Sequence, residues 1–107
     1  MTGTVLIVDD SLTIRMNLME LFSAADLRAV ACSTVAEARQ ALANDTFSLV
    51  ILDVLLPDGD GIELLQEIRA TPSASATAVM LLSTEAEVRD RVRGLSTWTL
   101  LLLGTSS

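Results

Sequence analysis

Short apolar runs alternate with longer segments of helical period along most of this chain, and that alternation leaves few folds open. Thr4 to Val8, Arg28 to Cys32, Ser48 to Leu52 and Thr77 to Leu82 are strand-like by length and by their Val, Ile and Leu content. Each is followed by a helical pattern. The first helix is expected over Leu12 to Ala25, with Ser11 as its N-cap and Ile14, Leu18, Leu21 and Phe22 on one face. The second, Val35 to Ala43, presents Val35, Ala38 and Leu42. Pro57 to Gly61 reads as a loop of turn formers, after which a third helix turns Ile62, Leu65 and Ile68 inward. Thr71 to Ser75 is the next connection. A fourth helix, Glu85 to Gly94, has Val88 and Val92 inward and Gly94 as its stop.

Parallel neighbours need crossovers of this length, so the repetition predicts an α/β fold with a parallel sheet. Strands covered on both faces account for the unbroken apolar runs. The chain has 107 residues, 50% of them apolar, which is material for one modest core. A single domain over residues 1–107 is expected.

In such sheets ligands bind beyond the carboxyl ends of the strands, where the strand order reverses. That rule gives an address to the stretch LIVDD, Leu6 to Asp10, in which an apolar run ends on two adjacent carboxylates. Like charges a few ångströms apart repel by about 1 kcal/mol in water, and by roughly 4 kcal/mol at an effective dielectric of about 20. Asp9 and Asp10 follow the first strand, Asp53 ends the third and Ser83 ends the fourth, so all four are expected on one edge. A hard, oxygen-seeking cation such as Mg²⁺ would convert the mutual repulsion of three carboxylates into coordination. Mg²⁺ takes one or two carboxylates together with waters and a phosphate oxygen, so a phosphoryl group would complete the site. Asp53 is then a candidate nucleophile that accepts phosphoryl as an aspartyl phosphate.

Composition narrows the alternatives. The net charge of −7 argues against nucleic-acid phosphate and against an anionic membrane surface as direct partners. All seven basic residues are Arg, with neither Lys nor His. Walker-type phosphate grips, Schiff-base chemistry, His-dependent triads and the commonest zinc ligand are thereby removed. The one cysteine, Cys32, has no internal disulfide partner, which fits a reducing cytoplasm. The N-terminus does not read as a signal peptide, and no stretch is long enough to span a bilayer.

The pair Asp9-Asp10 after an apolar strand, Asp53 shortly before LLPDGDG, and Ser83 beyond the fourth run together resemble the receiver domain of bacterial two-component response regulators, over Val5 to Leu95. The resemblance implies a flavodoxin-like, doubly wound sheet of strand order 2-1-3-4-5. It also implies that the chain is no enzyme and takes its phosphoryl group from a sensor histidine kinase or a phosphotransfer protein. By the same resemblance Asp53 is the phosphoacceptor, and Asp9 and Asp10 surround Mg²⁺ with Asp10 the more direct ligand. Leu55 offers a backbone carbonyl to the metal and Ser83 is the switch hydroxyl. Having no His, this chain is not the phosphoryl donor.

The tail departs from the family. The family's lysine position falls on Thr105, and STWTLLLLGTSS from Ser96 onward lacks the expected pattern. Trp98 to Leu103 reads as a short apolar strand that could fill the fifth place, with the fifth helix missing. A bare apolar edge there would favour self-association into a homo-oligomer through Leu100 to Leu103. A disordered tail is the other reading.

Rival roles are open for each residue. Asp9 could cap the first helix, Asp53 could be an ordinary strand-end turn residue, Ser83 could cap the fourth helix with Glu85 in its first turn, and Glu63 and Glu67 could be a solvated helix face. Asp58 to Gly61 has alternating acids and a glycine but does not meet the full calcium-loop pattern. Two other functions use the same residues. One is a degenerate receiver that docks on a partner irrespective of phosphorylation. The other is a Mg²⁺-dependent phosphohydrolase, against which Leu55 stands where a second acid would be needed.

Overall fold

The computed structural model describes residues 3–74 and 77–82. The chain forms β1 (Thr4–Val8), α1 (Leu12–Ala24), β2 (Arg28–Cys32), α2 (Val35–Asn44) and β3 (Leu49–Asp53). It continues as β4 (Leu55–Leu56), β5 (Gly59–Asp60), α3 (Gly61–Ala70) and β6 (Ala78–Leu82). β1, β2, β3 and β6 make a parallel sheet in the order β2-β1-β3-β6, while β4 and β5 pair only with each other, antiparallel. The little ribbon stands apart from the sheet, so β6 takes the fourth place of the expected 2-1-3-4-5 order. The fifth strand at Trp98 to Leu103 and the helix at Glu85 to Gly94 lie outside the described residues.

Alternation along each strand divides the apolar side chains between two layers. Leu6, Val8, Val50, Leu52, Val79 and Leu81 join Val35, Ala38, Leu64, Leu65 and Ile68 of α2 and α3, with Phe47 closing the layer. On the opposite face Val5, Ile7, Ile51 and Leu82 meet Ile14, Leu18, Met19 and Phe22 of α1. Each fully buried Leu, Ile or Val contributes about 1.5–3 kcal/mol, and most of those residues lie in the α2/α3 layer.

Three sequence expectations shift. β3 begins at Leu49 instead of Ser48 and ends, as expected, on Asp53, which keeps its place in the ladder opposite Leu82. Leu21 does not face the core: it is 62% exposed, and Met19 packs on the sheet in its stead. An apolar stripe as wide as that of α1 allows more than one rotation, and the sheet selects the one that leaves Leu12, Met16 and Leu21 outside. Pro57 to Gly61 is not merely loop, since it contains β5 and the first residue of α3.

α1 opens as expected on Ser11, whose hydroxyl accepts from the Ile14 N–H at 3.3 Å. It closes on Asp26, whose φ of 64° is left-handed. There the Leu27 N–H reaches the Phe22 carbonyl at 2.9 Å and the Asp26 N–H reaches Ser23 at 3.0 Å. This is the Schellman closure that glycine makes without steric cost. Asp26→Gly is accordingly expected to stabilise the fold by about 0.5–1 kcal/mol, read as a higher urea midpoint at unchanged slope. A lower midpoint would show that the aspartate side chain compensates for its backbone.

Candidate functional site

The register of the central strands assembles the site. β1 and β3 are parallel neighbours with Val8 opposite Leu52, so the next step along each strand brings Asp9 beside Asp53 at the ordinary strand spacing. β2 lies on the other side of β1, so this is the point at which the strand order reverses. Asp10 follows at the mouth of the β1–α1 turn. One carboxylate oxygen from each of Asp9, Asp10 and Asp53 lies within 4.8 Å of the other two. Among the described residues this is the one group of three acids so gathered.

The three differ in setting. Asp9 is buried, Asp53 half-buried and Asp10 exposed. The Asp9 N–H donates to the Cys32 carbonyl at 3.0 Å, and its Oδ1 accepts from the Ser11 N–H at 2.8 Å. Arg15 donates from Nη1 to the Asp9 carbonyl at 2.8 Å. Burial pushes the Asp9 carboxyl above the ordinary carboxylate range, the Ser11 N–H opposes this, Asp10 adds to it and the Arg15 guanidinium again opposes. A buried carboxylate beside a second acid is an unfavourable arrangement that a cation would relieve.

Mg²⁺ fits this donor set on stereochemical grounds. Its octahedron holds oxygens at about 2.0–2.1 Å, which places ligand oxygens roughly 3–4 Å apart. Carboxylate oxygens already within 4.8 Å need only small rotations to reach such positions. All are hard oxygen donors and no soft ligand stands among them.

Asp53 is oriented from its own loop: the Leu55 N–H donates to Asp53 Oδ1 at 3.2 Å. The Leu55 side chain is 46% exposed, in keeping with a residue that matters through its backbone. The acids after it are used otherwise. Asp60 caps α3 by accepting from the Ile62 N–H at 2.8 Å, and Asp58 accepts from Val35 and Ala36 of α2 at 2.7 and 3.1 Å. These two carboxylates hold separate helices, which removes the calcium-loop reading. Asp9 accepts from the N–H of Ser11, which itself caps α1, so the capping role weighed for Asp9 falls to Ser11. Glu67 is not simply solvated, for it receives two hydrogen bonds from Arg39, at 2.9 and 2.6 Å, which hold it below the ordinary carboxylate range. Ser83, expected as the switch hydroxyl, and Thr105, at the nominal lysine position, lie outside the described residues.

Sequence reasoning missed three contributors. Arg15 gave only the faint signal of a single cation in the first turn and a half of α1. Asp58 gave none, since its partners are far away in sequence. Gly61 read as a turn former, whereas a Cβ there would stand 2.0 Å from the Asp53 carbonyl oxygen. The glycine is needed for close approach.

Comparison with known proteins agrees with this geometry. A family model described as the response regulator receiver domain matches residues 5–98. Transcriptional regulatory protein GltR of Pseudomonas aeruginosa is 38% identical over 92 residues, which are 86% of this chain and 38% of GltR. KDP operon transcriptional regulatory protein KdpE of Escherichia coli is 35% identical over 91 residues, covering 85% of this chain and 39% of KdpE. This chain thus spans less than half the length of these relatives. Among solved structures, the signal receiver domain of a signal transduction histidine kinase from Syntrophus aciditrophicus superposes with a TM-score of 0.82 at 25% identity, over 98% of this chain and 81% of that one. The chemotaxis response regulator CheY4 of Vibrio cholerae gives 0.84 at 22% identity, over 99% and 90% of the two chains, which bears on the fold alone.

Proposed function

The chain belongs to the response regulator receiver family of two-component signalling, and from that premise we propose that it accepts a phosphoryl group on Asp53 in the presence of Mg²⁺. The observation that carries the proposal is the convergence of Asp9, Asp10 and Asp53 oxygens within 4.8 Å at the switch point of the sheet. Asp9 and Asp10 would hold the ion, with Asp10 the more accessible ligand, and the Leu55 carbonyl would contribute from the loop. When bound, Mg²⁺ would supply positive charge that offsets the charge on the transferring phosphoryl oxygens.

The donor is a phosphohistidine on a sensor histidine kinase or phosphotransfer protein. An Asp53 carboxylate oxygen forms the new bond to phosphorus as the phosphorus–nitrogen bond breaks, and the electron pair returns to the partner's imidazole. The Leu55 N–H orients the Asp53 carboxylate through Oδ1. Having accepted one phosphoryl group, the chain is a stoichiometric acceptor, not a multiple-turnover hydrolase: no second acid stands two residues after Asp53. A cytoplasmic location belongs to the same proposal and is supported by a free, buried Cys32 and by the absence, among the described residues, of any helix long and apolar enough to cross a membrane. Two of the relatives are named as transcriptional regulators. With a net charge of −7, these residues themselves are poorly suited to contact nucleic-acid phosphate, so any such output would reside elsewhere. The intact acidic cluster favours chemistry over docking that ignores phosphorylation.

Intact mass measured after incubation with a small acyl phosphate tests the reading. One added phosphoryl group is expected with Mg²⁺ present and none with a chelator, and peptide mapping should place the group on Asp53. Labelling that ignores Mg²⁺, or that maps to another residue, would contradict it.

A further inference from the structure

We propose that Asp58 is a positioning residue for the acidic site, acting as a strap that ties the loop after Asp53 to the start of α2. The inference rests on the metal-site reading above and extends it to a residue outside the cluster. Asp58 spans a wide gap in sequence: its Oδ1 accepts from the Val35 N–H at 2.7 Å and its Oδ2 from the Ala36 N–H at 3.1 Å. α2 therefore begins with Thr34 Oγ1 serving the Glu37 N–H at 3.1 Å and a carboxylate from another element serving the two N–H groups before it. A helix can be capped locally, and Thr34 already does so. The second, distant cap fixes something beyond the helix.

What it fixes is the β4–β5 ribbon. Asp58 sits in the turn between Leu56 and Gly59, which pair with each other, and a Cβ on Gly59 would lie 3.1 Å from Val35 Cγ2. The turn thus runs close beside the residue whose N–H it accepts, with little room for a further carbon between them. One end of the ribbon, Leu55, donates to Asp53 Oδ1, and past the other end the Gly61 N–H donates to the Val54 carbonyl at 2.8 Å. The loop is held near both ends by the Leu55 and Gly61 N–H groups, Leu56 packs against the α2/α3 layer of the core, and the tip is tied to α2 by the two hydrogen bonds that Asp58 accepts. Without the tie at the tip the ribbon has more freedom to rock about Val54 and Gly61, and Leu55 moves with it. The contacts that orient Asp53 then spread over many arrangements, and ligand oxygens held less closely bind a small octahedral ion less tightly.

A comparison of Asp58→Ala, Asp58→Asn and Thr34→Ala tests this. Thr34→Ala removes a cap from the same helix without touching the ribbon. Asp58→Ala is expected to weaken Mg²⁺ binding by calorimetric titration about tenfold, and Asp58→Asn, which keeps one acceptor oxygen, by less. Thr34→Ala should stay within about twofold of wild type on the same scale. In metal-free protein, amide exchange should quicken at Leu55 as well as at Val35 and Ala36 in Asp58→Ala, and at Glu37 without Leu55 in Thr34→Ala. Wild-type Mg²⁺ affinity in Asp58→Ala, or an equal loss in Thr34→Ala, overturns the strap while leaving the acidic site standing. A wild type that binds no Mg²⁺ overturns the site and the strap together.

Discussion

Asp53→Asn is expected to abolish phosphoryl labelling and, in the same molecule, to raise the thermal midpoint of the metal-free protein. The first effect follows because an amide offers no anionic oxygen to phosphorus. The second follows because one of three carboxylates within 4.8 Å of one another becomes neutral. With Asp53 half-buried, the relief is on the order of 1 kcal/mol, toward the lower end of what close like charges cost. For a domain of this size that is a rise of about 4–8 °C. Saturating Mg²⁺ should reverse the order. At a hundredfold excess over its dissociation constant a ligand stabilises the folded state by about 2.7 kcal/mol, and wild type gains this in full while the variant gains less. Melting curves with and without Mg²⁺ check the crossing. If Asp53→Asn is destabilised in both conditions, the carboxylate is a structural group and the cluster is not a cation site.

The larger effect on folding is expected from one added methyl group. Gly61→Ala would place a Cβ 2.0 Å from the Asp53 carbonyl oxygen, 3.0 Å from its carbon and 3.1 Å from the Cα of Val54. All three are backbone atoms, so no side-chain rotation makes room. Gly61 is buried, and its N–H holds the Val54 carbonyl at 2.8 Å, so α3 and the end of β3 must move apart and lose that bond. Overpacking of this kind costs about 3 kcal/mol. Because the displaced backbone carries Asp53, labelling is expected to slow about a hundredfold, the scale set by a misplacement of roughly 1 Å. Gly59→Ala is the control. Its Cβ meets the Val35 side chain at 3.1 Å, which can yield, so a loss below about 1 kcal/mol is expected. Urea unfolding and labelling rates of both variants decide the matter, and equal losses would mean that close approach at Gly61 has no special weight.

The sheet was legible because its signal is local and strong. Unbroken runs such as LIV and VIL mark strands buried on both faces, and the rule for carboxyl ends then brings Asp9, Asp10 and Asp53 together without further information. Ser11 was legible for the same reason, as a cap needs only its own next turn. The rotation of α1 was not, since Leu21 and Met19 flank the same apolar stripe and only packing against Ile7 and Ile51 chooses between them. Nor was Asp58, a turn residue whose partners Val35 and Ala36 come from a helix distant in sequence, or the service of Gly61, which depends on a distance between two backbones. Phe47 and Leu64, buried but unforeseen, sit where turn and helix signals say nothing about tertiary cover. Residues acting through one neighbouring turn can be read from the chain, and those acting across elements cannot.

The parallel pairing of β1 with β3 has a kinetic implication. Asp9 and Asp53 meet only after two strands separated by a helix, another strand and a second helix have closed side by side, a long-range step that comes late and slowly in folding. An ion held between them has little to grip beforehand. Its stabilisation should therefore appear almost wholly as slower escape from the native state, with the speed of refolding nearly untouched.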